Sequence, residues 1–464
     1  MRQPIDVDYL IIGAGAMGMA FADTLIAETS ATVAIVDRYH QPGGHWTIAY
    51  PFVRLHQPST GYGVNSRHLG SDAIDATGWN AGLYELASGP EVCAYFDQVM
   101  QQTLLPTGRV TYLPMCDVLP DGLVRSIVTG ETFEVNVRRK TVDSTYQGVT
   151  VPAMRPPAYQ VDPGVVCAPL NALGALRESH DRFTIVGAGK TGMDACLWLL
   201  RQGVDPDRLT WIMPRDSWLI DRSLCQPGPL FAERTGGFFS VQAQAIAEAA
   251  SIDDLFVRLE AGGLLVRLDP SIRPTMYRCA TVSMAELEQL RRIRDVVRLG
   301  HVSRIETHRI VLDAGSVATT PTTMHVDCTA DGLEKRPSTP VFADRRITLQ
   351  SVRTCQQVFS AALIAHVEAA YPDDAVKNDI CVPIPHPDIE LDYLSATIAN
   401  GRNERRWGED AEIQAWLSRC RLDWLRRVGP QPPADPAIQA ERARFVRETS
   451  LALSAKLQAL LAQA

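Results

Sequence analysis

Apolar runs that alternate with helical stretches predict two strand–helix–strand units in this chain. In the first unit the apolar run, the helix and the second apolar run lie at residues 7–12, 16–27 and 31–37. In the second unit they lie at residues 183–186, 191–201 and 209–213. Strands that are apolar along their whole length are typical of a parallel sheet with helices on both faces. The pattern therefore predicts an α/β fold with two Rossmann-like dinucleotide-binding domains.

Three glycines separate the first strand of each unit from its helix. They are Gly13, Gly15 and Gly18 in the first unit, and Gly187, Gly189 and Gly192 in the second. In such a loop the first glycine permits a tight turn, the second lets the backbone approach a pyrophosphate, and the third lets the helix pack closely on the strand. The N–H groups at the helix N-terminus then face the diphosphate. Two dinucleotide sites are therefore expected.

The residue at the end of the second strand indicates which dinucleotide each unit binds. Asp37 ends the first unit, where a carboxylate accepts hydrogen bonds from the adenosine ribose. The second unit ends at Pro214-Arg215-Asp216, and a guanidinium there suits a 2′-phosphate, which favours NADPH over NADH. Three alternatives stay open: Arg222 takes this role, Asp216 neutralises Arg215, or Arg215 forms only a surface ion pair.

Composition excludes several classes of protein. A formal net charge of -8 argues against a general nucleic-acid or anionic-membrane binder, and no apolar run is long enough to cross a bilayer. The first residues lack the pattern of a signal peptide. The ten cysteines are scattered without a CxxC pair, which predicts reduced thiols in a cytoplasmic protein, and the histidines lack ligand spacing, so we expect no metal site.

The segment after Asp37 carries a resemblance. It reads Pro42-Gly43-Gly44-His45-Trp46 and is followed by Tyr62-Gly63-Val64-Asn65-Ser66. A first glycine fingerprint, an acid, a Gly-Gly-x-Trp segment and a second fingerprint, in this order, resemble the class B flavin-dependent monooxygenases, and the flavin-containing monooxygenases in particular. The resemblance covers the order of motifs over roughly the first 335 residues. It implies that FAD binds at the first loop and NADPH at the second.

The resemblance also implies a division of the chain. Residues 1–178 would form the first part of the FAD domain, and residues 179–330 the NADPH domain with a helical insertion at about 218–285. Residues 331–464 would return to the FAD domain and end in helices, the last of them amphipathic. We expect the insertion and the C-terminal segment to form the walls of the substrate pocket.

Several residue roles follow from the resemblance alone. Gly43, Gly44 and Trp46 would pass over the FAD diphosphate and ribityl chain. Asn65 would lie beside the flavin ring, although Gly61, Gly63 and Asn65 together are also typical of an ordinary loop. Gln350, in the segment 347–351, would lie near the flavin pyrimidine. In the second loop Lys190 replaces the usual small residue, and with Thr191 it either contacts phosphate or faces solvent.

One element of the family is missing. The related enzymes carry a Phe-x-Gly-x-x-x-His element shortly before the second fingerprint, whereas residues 164–169 of this chain read Gly-Val-Val-Cys-Ala-Pro. The Baeyer–Villiger branch is therefore doubtful.

The implied reaction uses FAD, NADPH and O₂. NADPH reduces the flavin, O₂ adds to form a C4a-hydroperoxide, and its distal oxygen passes to a soft nitrogen, a sulfur or an electron-rich carbon of a small molecule. Alternatives are an FAD-dependent dehydrogenase or oxidase, a flavin halogenase, and a nucleotide-sensing binding protein. Disulfide reductases share the two fingerprints, but the sequence shows no redox cysteine pair, so we exclude them. Neither the substrate nor the oligomeric state can be predicted.

Overall fold

A computed structural model describes residues 4–177, 180–330, 332–424 and 435–464 of the chain. The domain boundaries that we predict at 178/179 and at 331 fall on residues outside these ranges, so their exact positions stay predictions.

The helices run over Ala16–Glu28 (α1), Gly89–Val99 (α2), Lys190–Arg201 (α3), Ala232–Glu248 (α4), Ile252–Ala261 (α5), Met284–Leu290 (α6), Gln357–Ala370 (α7), Asp374–Ile380 (α8), Glu390–Gly408 (α9), Ala411–Arg419 (α10) and Pro436–Leu461 (α11). The strands run over Ile5–Ile12 (β1), Val33–Asp37 (β2), Val110–Pro114 (β3), Cys116–Val118 (β4), Val124–Ser126 (β5), Thr132–Phe133 (β6), Val135–Asp143 (β7), Val149–Thr150 (β8), Gln160–Val161 (β9), Cys167–Pro169 (β10), Arg182–Val186 (β11), Leu209–Ile212 (β12), Ser217–Asp221 (β13), Leu265–Val266 (β14), Met276–Val282 (β15), Asp295–Val297 (β16), Val302–Ile305 (β17), Arg309–Leu312 (β18), Gly315–Ala318 (β19), Thr323–Asp327 (β20), Gly332–Leu333 (β21), Phe342–Ala343 (β22) and Arg346–Thr348 (β23).

The first sheet has the strand order β22-β23-β7-β1-β2-β3. Strand β1 pairs in parallel with β2 and with β7, and α1 connects β1 to β2. Both faces of β1 are buried: Tyr9 and Ile11 pack with α1 and α7, and Val7 and Leu10 pack on the side of β4–β6. This double burial explains the uninterrupted apolar run, and it confirms the first predicted unit.

The second sheet has the order β10-β20-β11-β12-β16, and all of its strand pairs are parallel. Helix α3 connects β11 to β12, so the second predicted unit is confirmed as well. One face packs on α3 and α6 through Ile185 and Trp211, and the other packs on the hairpin β17–β18 through Val186 and Ile212. Strand β10 already belongs to this sheet, although it precedes the boundary predicted at residue 178.

The insertion at about 218–285 is mixed rather than purely helical. Its two helices, α4 and α5, are separated near Ser251, whose side chain accepts a hydrogen bond from the Asp254 N–H at 3.1 Å as the N-cap of α5. The helices accompany a three-stranded sheet of order β14-β13-β15. Sequence periodicity missed β15 because its register shifts around Cys279, which interrupts the alternation expected of a strand.

The C-terminal part returns to the first sheet through β22 and β23, and α7 then packs against α1. Helix α11 is amphipathic and docked, as predicted: Leu457 and Leu460 are buried against the insertion together with Leu255 and Phe256. Within the described ranges, no helix combines the length and the apolar character that crossing a bilayer requires.

Candidate active site

A cavity of about 990 Å³ connects the two glycine loops. Its wall includes Gly13 and Gly15 from the first loop, and Gly189, Lys190 and Thr191 from the second. This volume is at the upper end of the roughly 300–1,000 Å³ that is usual for small-molecule and cofactor sites. The remaining wall comes from residues between 12 and 154 and, in about equal number, from the insertion and the C-terminal part, for example Leu219, Phe238, Met276, Tyr393 and Asn400. The two loops therefore open into one space.

The first loop is closed tightly at its base. Gly13 has φ +99°, a left-handed conformation that favours glycine. A Cβ on Gly18 would overlap the Gly13 carbonyl oxygen, so the start of α1 lies directly on the turn. Gly44 lies over Gly15, where a Cβ on Gly44 would come 3.0 Å from the Gly15 Cα. These close approaches leave bare backbone facing the cavity.

Asp37 holds this loop from the end of β2. Its Oδ2 accepts a hydrogen bond from the Ala14 N–H at 2.5 Å, and its Oδ1 accepts one from the Tyr39 N–H at 2.7 Å. Burial raises the pKa of Asp37, against the opposing effect of these two hydrogen bonds. Asp37 also lines the cavity. Because each carboxylate oxygen has more than one acceptor position, Asp37 can hold the loop and still accept a hydroxyl.

The Gly-Gly-x-Trp segment lies against the first loop. The Gly43 N–H donates to the Ala14 carbonyl oxygen at 2.9 Å, and residues Gly44–Ile48 form a short 3-10 turn. The indole of Trp46 lines the cavity and donates to the Tyr62 hydroxyl at 2.8 Å. His45 stacks on Trp46, and burial lowers the pKa of His45 to about 4, so its imidazole is neutral near pH 7.

The second loop repeats the geometry of the first. Gly187 has φ +129°, and a Cβ on Gly192 would overlap the Gly187 carbonyl oxygen, which also accepts a hydrogen bond from the Trp211 indole at 2.8 Å. Lys190 lines the cavity and forms an ion pair with Asp194, one turn further along α3. Asp194 also accepts a hydrogen bond from the Tyr50 hydroxyl at 2.5 Å. The Lys190 ammonium is thus held at the cavity wall.

Arg215 lies in a group of three cations around one carboxylate. Its guanidinium is 3.3 Å from the Asp388 Oδ2, which is also 3.0 Å from the Lys335 ammonium, and Arg278 pairs with the Asp388 Oδ1. Burial raises the pKa of Asp388, but the hydrogen bonds from Lys335 and Arg278 outweigh this effect and lower it to about 2. The group therefore carries excess positive charge.

Two of the three alternatives at this strand end, those that involve Asp216 and Arg222, are wrong. Asp216 does not neutralise Arg215, because its carboxylate is bound to the Arg298 guanidinium at 2.7 and 3.0 Å. Arg222 is fully buried and donates to the Glu286 carboxylate at 2.6 Å, to the Asn80 amide oxygen and to the His56 carbonyl oxygen. The ion pair of the third alternative is present, because Arg215 pairs with Asp388, is 38% exposed and lies outside the cavity wall, so a role of Arg215 at a 2′-phosphate stays a prediction.

Asn65 and Gln350 lie outside the cavity wall. The Asn65 Oδ1 accepts a hydrogen bond from the Arg421 N–H at 2.8 Å. The buried Gln350 amide pairs with the Thr339 backbone, donating to its carbonyl oxygen at 2.8 Å and accepting from its N–H at 3.2 Å. The cavity is lined instead by the residues just after this segment, 353–358. The predicted flavin contacts of Asn65 and Gln350 stay predictions that these bonds do not support.

The cysteine pair that spacing did not reveal lies in the cavity wall. Cys279 and Cys355 form a disulfide with a Cα–Cα distance of 6.7 Å, across a sequence separation of 76 residues. The expectation of reduced thiols is therefore wrong for this pair, and the exclusion of disulfide reductases, which depended on the absence of a cysteine pair, loses its basis. A search for CxxC spacing detects only cysteines that are close in sequence, whereas Cys279 and Cys355 are brought together by the tertiary fold.

Two histidines that the sequence did not single out also line the cavity. His386 Nδ1 is 3.9 Å from Cys355 Sγ, and burial lowers the pKa of His386 to about 4. Burial likewise lowers the pKa of His56 to about 3. Near neutral pH both imidazoles are therefore neutral.

Comparison with known proteins gives related sequences and distant structures. No family model matches the chain. It is 59% identical over 435 residues to the uncharacterized protein Rv2000 of Mycobacterium tuberculosis, covering 94% of this chain and 81% of that protein. The uncharacterized protein Mb2023 of Mycobacterium bovis matches with the same identity and coverage.

Three solved structures illustrate the structural likeness. Cyclohexanone monooxygenase from Rhodococcus sp. Phi1, bound to NADP+, is 12% identical with a TM-score of 0.45, covering 78% of this chain and 84% of that chain. An oxidized steroid monooxygenase bound to NADP is 13% identical with a TM-score of 0.47, covering 78% and 85%. The bacillithiol disulfide reductase Bdr (YpdA) from Bacillus cereus is 14% identical with a TM-score of 0.46, covering 79% and 99%. At these scores the likeness assigns no activity.

Proposed function

The chain belongs to the same family as these mycobacterial proteins, and we propose that it is an FAD- and NADPH-dependent monooxygenase that acts on a small molecule. The observation that carries the proposal is that two dinucleotide loops, on two separate sheets, open into one cavity. Such an arrangement suits two redox cofactors that exchange electrons with each other. The order of motifs, with the Gly-Gly-x-Trp segment after the first loop, supports FAD at the first loop.

The first loop fits an FAD diphosphate. Gly15 is in extended conformation at φ -72° and presents bare backbone to the cavity at the start of α1. The helix N-terminus supplies free N–H groups and a positive dipole for the phosphates. Asp37 lines the cavity at the end of β2, where the adenosine ribose would bind. Trp46 and His45 cover the adjoining wall and exclude water from it.

The second loop fits NADPH. Gly189 and Thr191 line the cavity at the start of α3, and Lys190 adds a positive charge there. Beyond the end of β12, Arg215 and the neighbouring cations Arg278 and Lys335 carry more positive charge than Asp388 neutralises. A 2′-phosphate is the anion that distinguishes NADPH from NADH, and a guanidinium suits it.

The bound flavin would supply the redox chemistry, accepting a hydride equivalent from NADPH and reacting with O₂. The chain orients the two cofactors and keeps water away. Apolar side chains of the insertion, including Leu219 and Phe238, form part of the wall. His56 and His45 are neutral, so they place no cation in the cavity near pH 7. A soft nitrogen, a sulfur or an electron-rich carbon is the proposed oxygen acceptor.

The test starts from the visible spectrum of the purified protein, which should show an oxidised flavin that NADPH bleaches. With ¹⁸O₂, a panel of amines, sulfides and electron-rich aromatics is then screened for label in the product. Incorporation of one labelled oxygen per NADPH supports the monooxygenase. Stoichiometric hydrogen peroxide with every substrate would assign an oxidase instead, a halide-dependent product would assign a halogenase, and bound flavin without turnover would assign a nucleotide sensor.

A further inference from the structure

We propose that Cys279–Cys355 is a redox-active disulfide, which takes electrons from NADPH by way of the flavin and passes them to a small-molecule disulfide. The supply of electrons rests on the proposed binding of FAD and NADPH, whereas the exchange chemistry rests on the cysteines themselves. Both cysteines line the cavity that connects the two glycine loops. The pair therefore lies within the same space as both predicted cofactors.

The backbone around each cysteine directs it into this wall. Cys279 lies where the register of β15 shifts against β13, and it has φ +54°. Cys355 directly precedes the N-cap of α7 and has φ +58°. Non-glycine residues in the left-handed region are uncommon, and they are concentrated at functional sites and next to bulges.

Accessibility distinguishes this pair from most of the other cysteines. Cys279 and Cys355 are both partly exposed, whereas Cys93, Cys116, Cys196, Cys328, Cys381 and Cys420 are buried. Among the free thiols, Cys225 also lines the cavity and is partly exposed, but burial raises its pKa to about 12, which keeps it protonated and unreactive. Cys225 therefore serves as a matched control.

The surroundings of Cys355 suit a nucleophilic thiolate. Its Sγ is 3.9 Å from the His386 Nδ1, so the neutral imidazole can donate an N–H hydrogen bond to a thiolate there. Cys355 also precedes the N-terminus of α7, whose dipole stabilises a negative charge. The Cys279 sulfur lies 4.0 Å from the Tyr277 hydroxyl, which is not a base near neutral pH. Cys355 is thus the attacking cysteine, and Cys279 is the resolving one.

Reduction of the disulfide and thiol exchange with the substrate form one catalytic cycle. The Sγ–Sγ bond accepts two electrons and two protons and breaks into two thiols, while NADPH is oxidised to NADP+ and the second proton comes from solvent. Cys355 then loses its proton to solvent and attacks a sulfur of the substrate R–S–S–R, forming a mixed disulfide and releasing one thiolate, which takes a proton from solvent. Cys279 attacks Cys355 Sγ, restores the internal disulfide and releases the second thiol.

The first experiment counts electrons. Under anaerobic conditions the holoenzyme is titrated with NADPH, and the protein is then alkylated under denaturing conditions and mapped by mass spectrometry. We expect uptake of four electrons per chain and alkylation of both cysteines, against two electrons for Cys279→Ser or Cys355→Ser and four for Cys225→Ser. If the wild type takes up only two electrons, which reduce the flavin, and Cys279 and Cys355 stay linked, the proposed electron transfer from the flavin to the disulfide is wrong.

The second experiment does not depend on any cofactor. Each single variant is incubated with glutathione disulfide, and the rate of mixed-disulfide formation is measured by mass. Cys279→Ser, which keeps Cys355 beside His386, should react at least about tenfold faster than Cys355→Ser, and Cys279→Ser/His386→Ala should lose this advantage. Equal rates, or no reaction in either variant, would overturn the exchange chemistry. Failure to bind flavin, with the tenfold difference intact, would remove the proposed monooxygenase and leave a thiol–disulfide site that needs another electron donor.

Discussion

The two glycine loops have the same backbone geometry but different covers. A side chain added at Gly15 would meet the Gly44 Cα at 3.7 Å, whereas one added at Gly189 would meet nothing within 4 Å. The first loop thus lies beneath the Gly-Gly-x-Trp segment, and the second is open to the cavity. We infer that the first site suits a cofactor that stays bound through turnover, and the second one that exchanges.

The contrast does not arise from the sheets themselves. In each sheet the strand beside the loop ends in the same Asp-x-Thr turn: the Asp143 Oδ1 accepts from the Thr145 N–H at 2.9 Å, and the Asp327 Oδ1 accepts from the Thr329 N–H at 3.0 Å. The difference lies in what each unit adds outside its sheet. One fold thus gives two sites with different exposure, because the segments that cover them differ.

The largest effect should come from Gly15→Val. Gly15 is extended, with φ -72° and ψ -179°, so valine fits the backbone, but its side chain would occupy the bare surface under the diphosphate. Overpacking of about 3 kcal/mol corresponds to roughly 100-fold weaker FAD binding. We expect purified protein without flavin absorbance and without activity. Undiminished flavin content would show that FAD binds elsewhere.

Gly189→Val should separate the two sites. Gly189 is also extended, with φ -78° and ψ -175°, and open space surrounds it. We expect the flavin content to stay unchanged while the KM for NADPH rises by roughly 10- to 100-fold, since the new side chain competes with the phosphates.

Gly408→Val is the matched control for this variant, because it lies at the end of α9 with nothing within 4 Å and outside the cavity wall. It should change neither flavin content nor KM. Loss of flavin from Gly189→Val, with this control intact, would contradict the division of roles between the loops.

Arg215→Ala tests the choice of nicotinamide cofactor. Loss of a charge-assisted hydrogen bond to a 2′-phosphate costs about 1.5 kcal/mol, so the KM for NADPH should rise about tenfold, while the KM for NADH changes less than about twofold. Asp388→Asn should instead lower the KM for NADPH, because it removes the negative charge that pairs with both Arg215 and Lys335. Equal use of both cofactors by the unaltered chain would remove Arg215 from the site.

The features that could be predicted from the sequence are those that local chemistry determines. The apolar runs of β1 and β11 and the glycines after them specify two parallel sheets, since no other residue permits the turn at Gly13 or the helix contact at Gly18.

The features that sequence missed depend on distant segments. Cys279 and Cys355 meet because β15 and the start of α7 come together, and no spacing along the chain records that contact. Gln350 was predicted to lie near the flavin pyrimidine from its position relative to the family motif. Its side chain is instead hydrogen-bonded to Thr339, and the residues of this segment that line the cavity start at Arg353. The strand β15 was missed because the irregular pairing around Cys279 breaks its alternation.

The smallest effect should come from Asn65→Ala, which decides between a flavin contact and a loop role. The Asn65 amide oxygen accepts the Arg421 N–H at 2.8 Å and lies outside the cavity wall, so its loss should cost about 1 kcal/mol of stability and lower the thermal midpoint by about 2 °C. Product formed per NADPH oxidised should stay within about twofold of the unaltered chain. A large loss of this coupling at an unchanged midpoint would instead assign Asn65 the place beside the flavin that the family resemblance implies, and would require the segment around it to move toward the first loop when FAD binds.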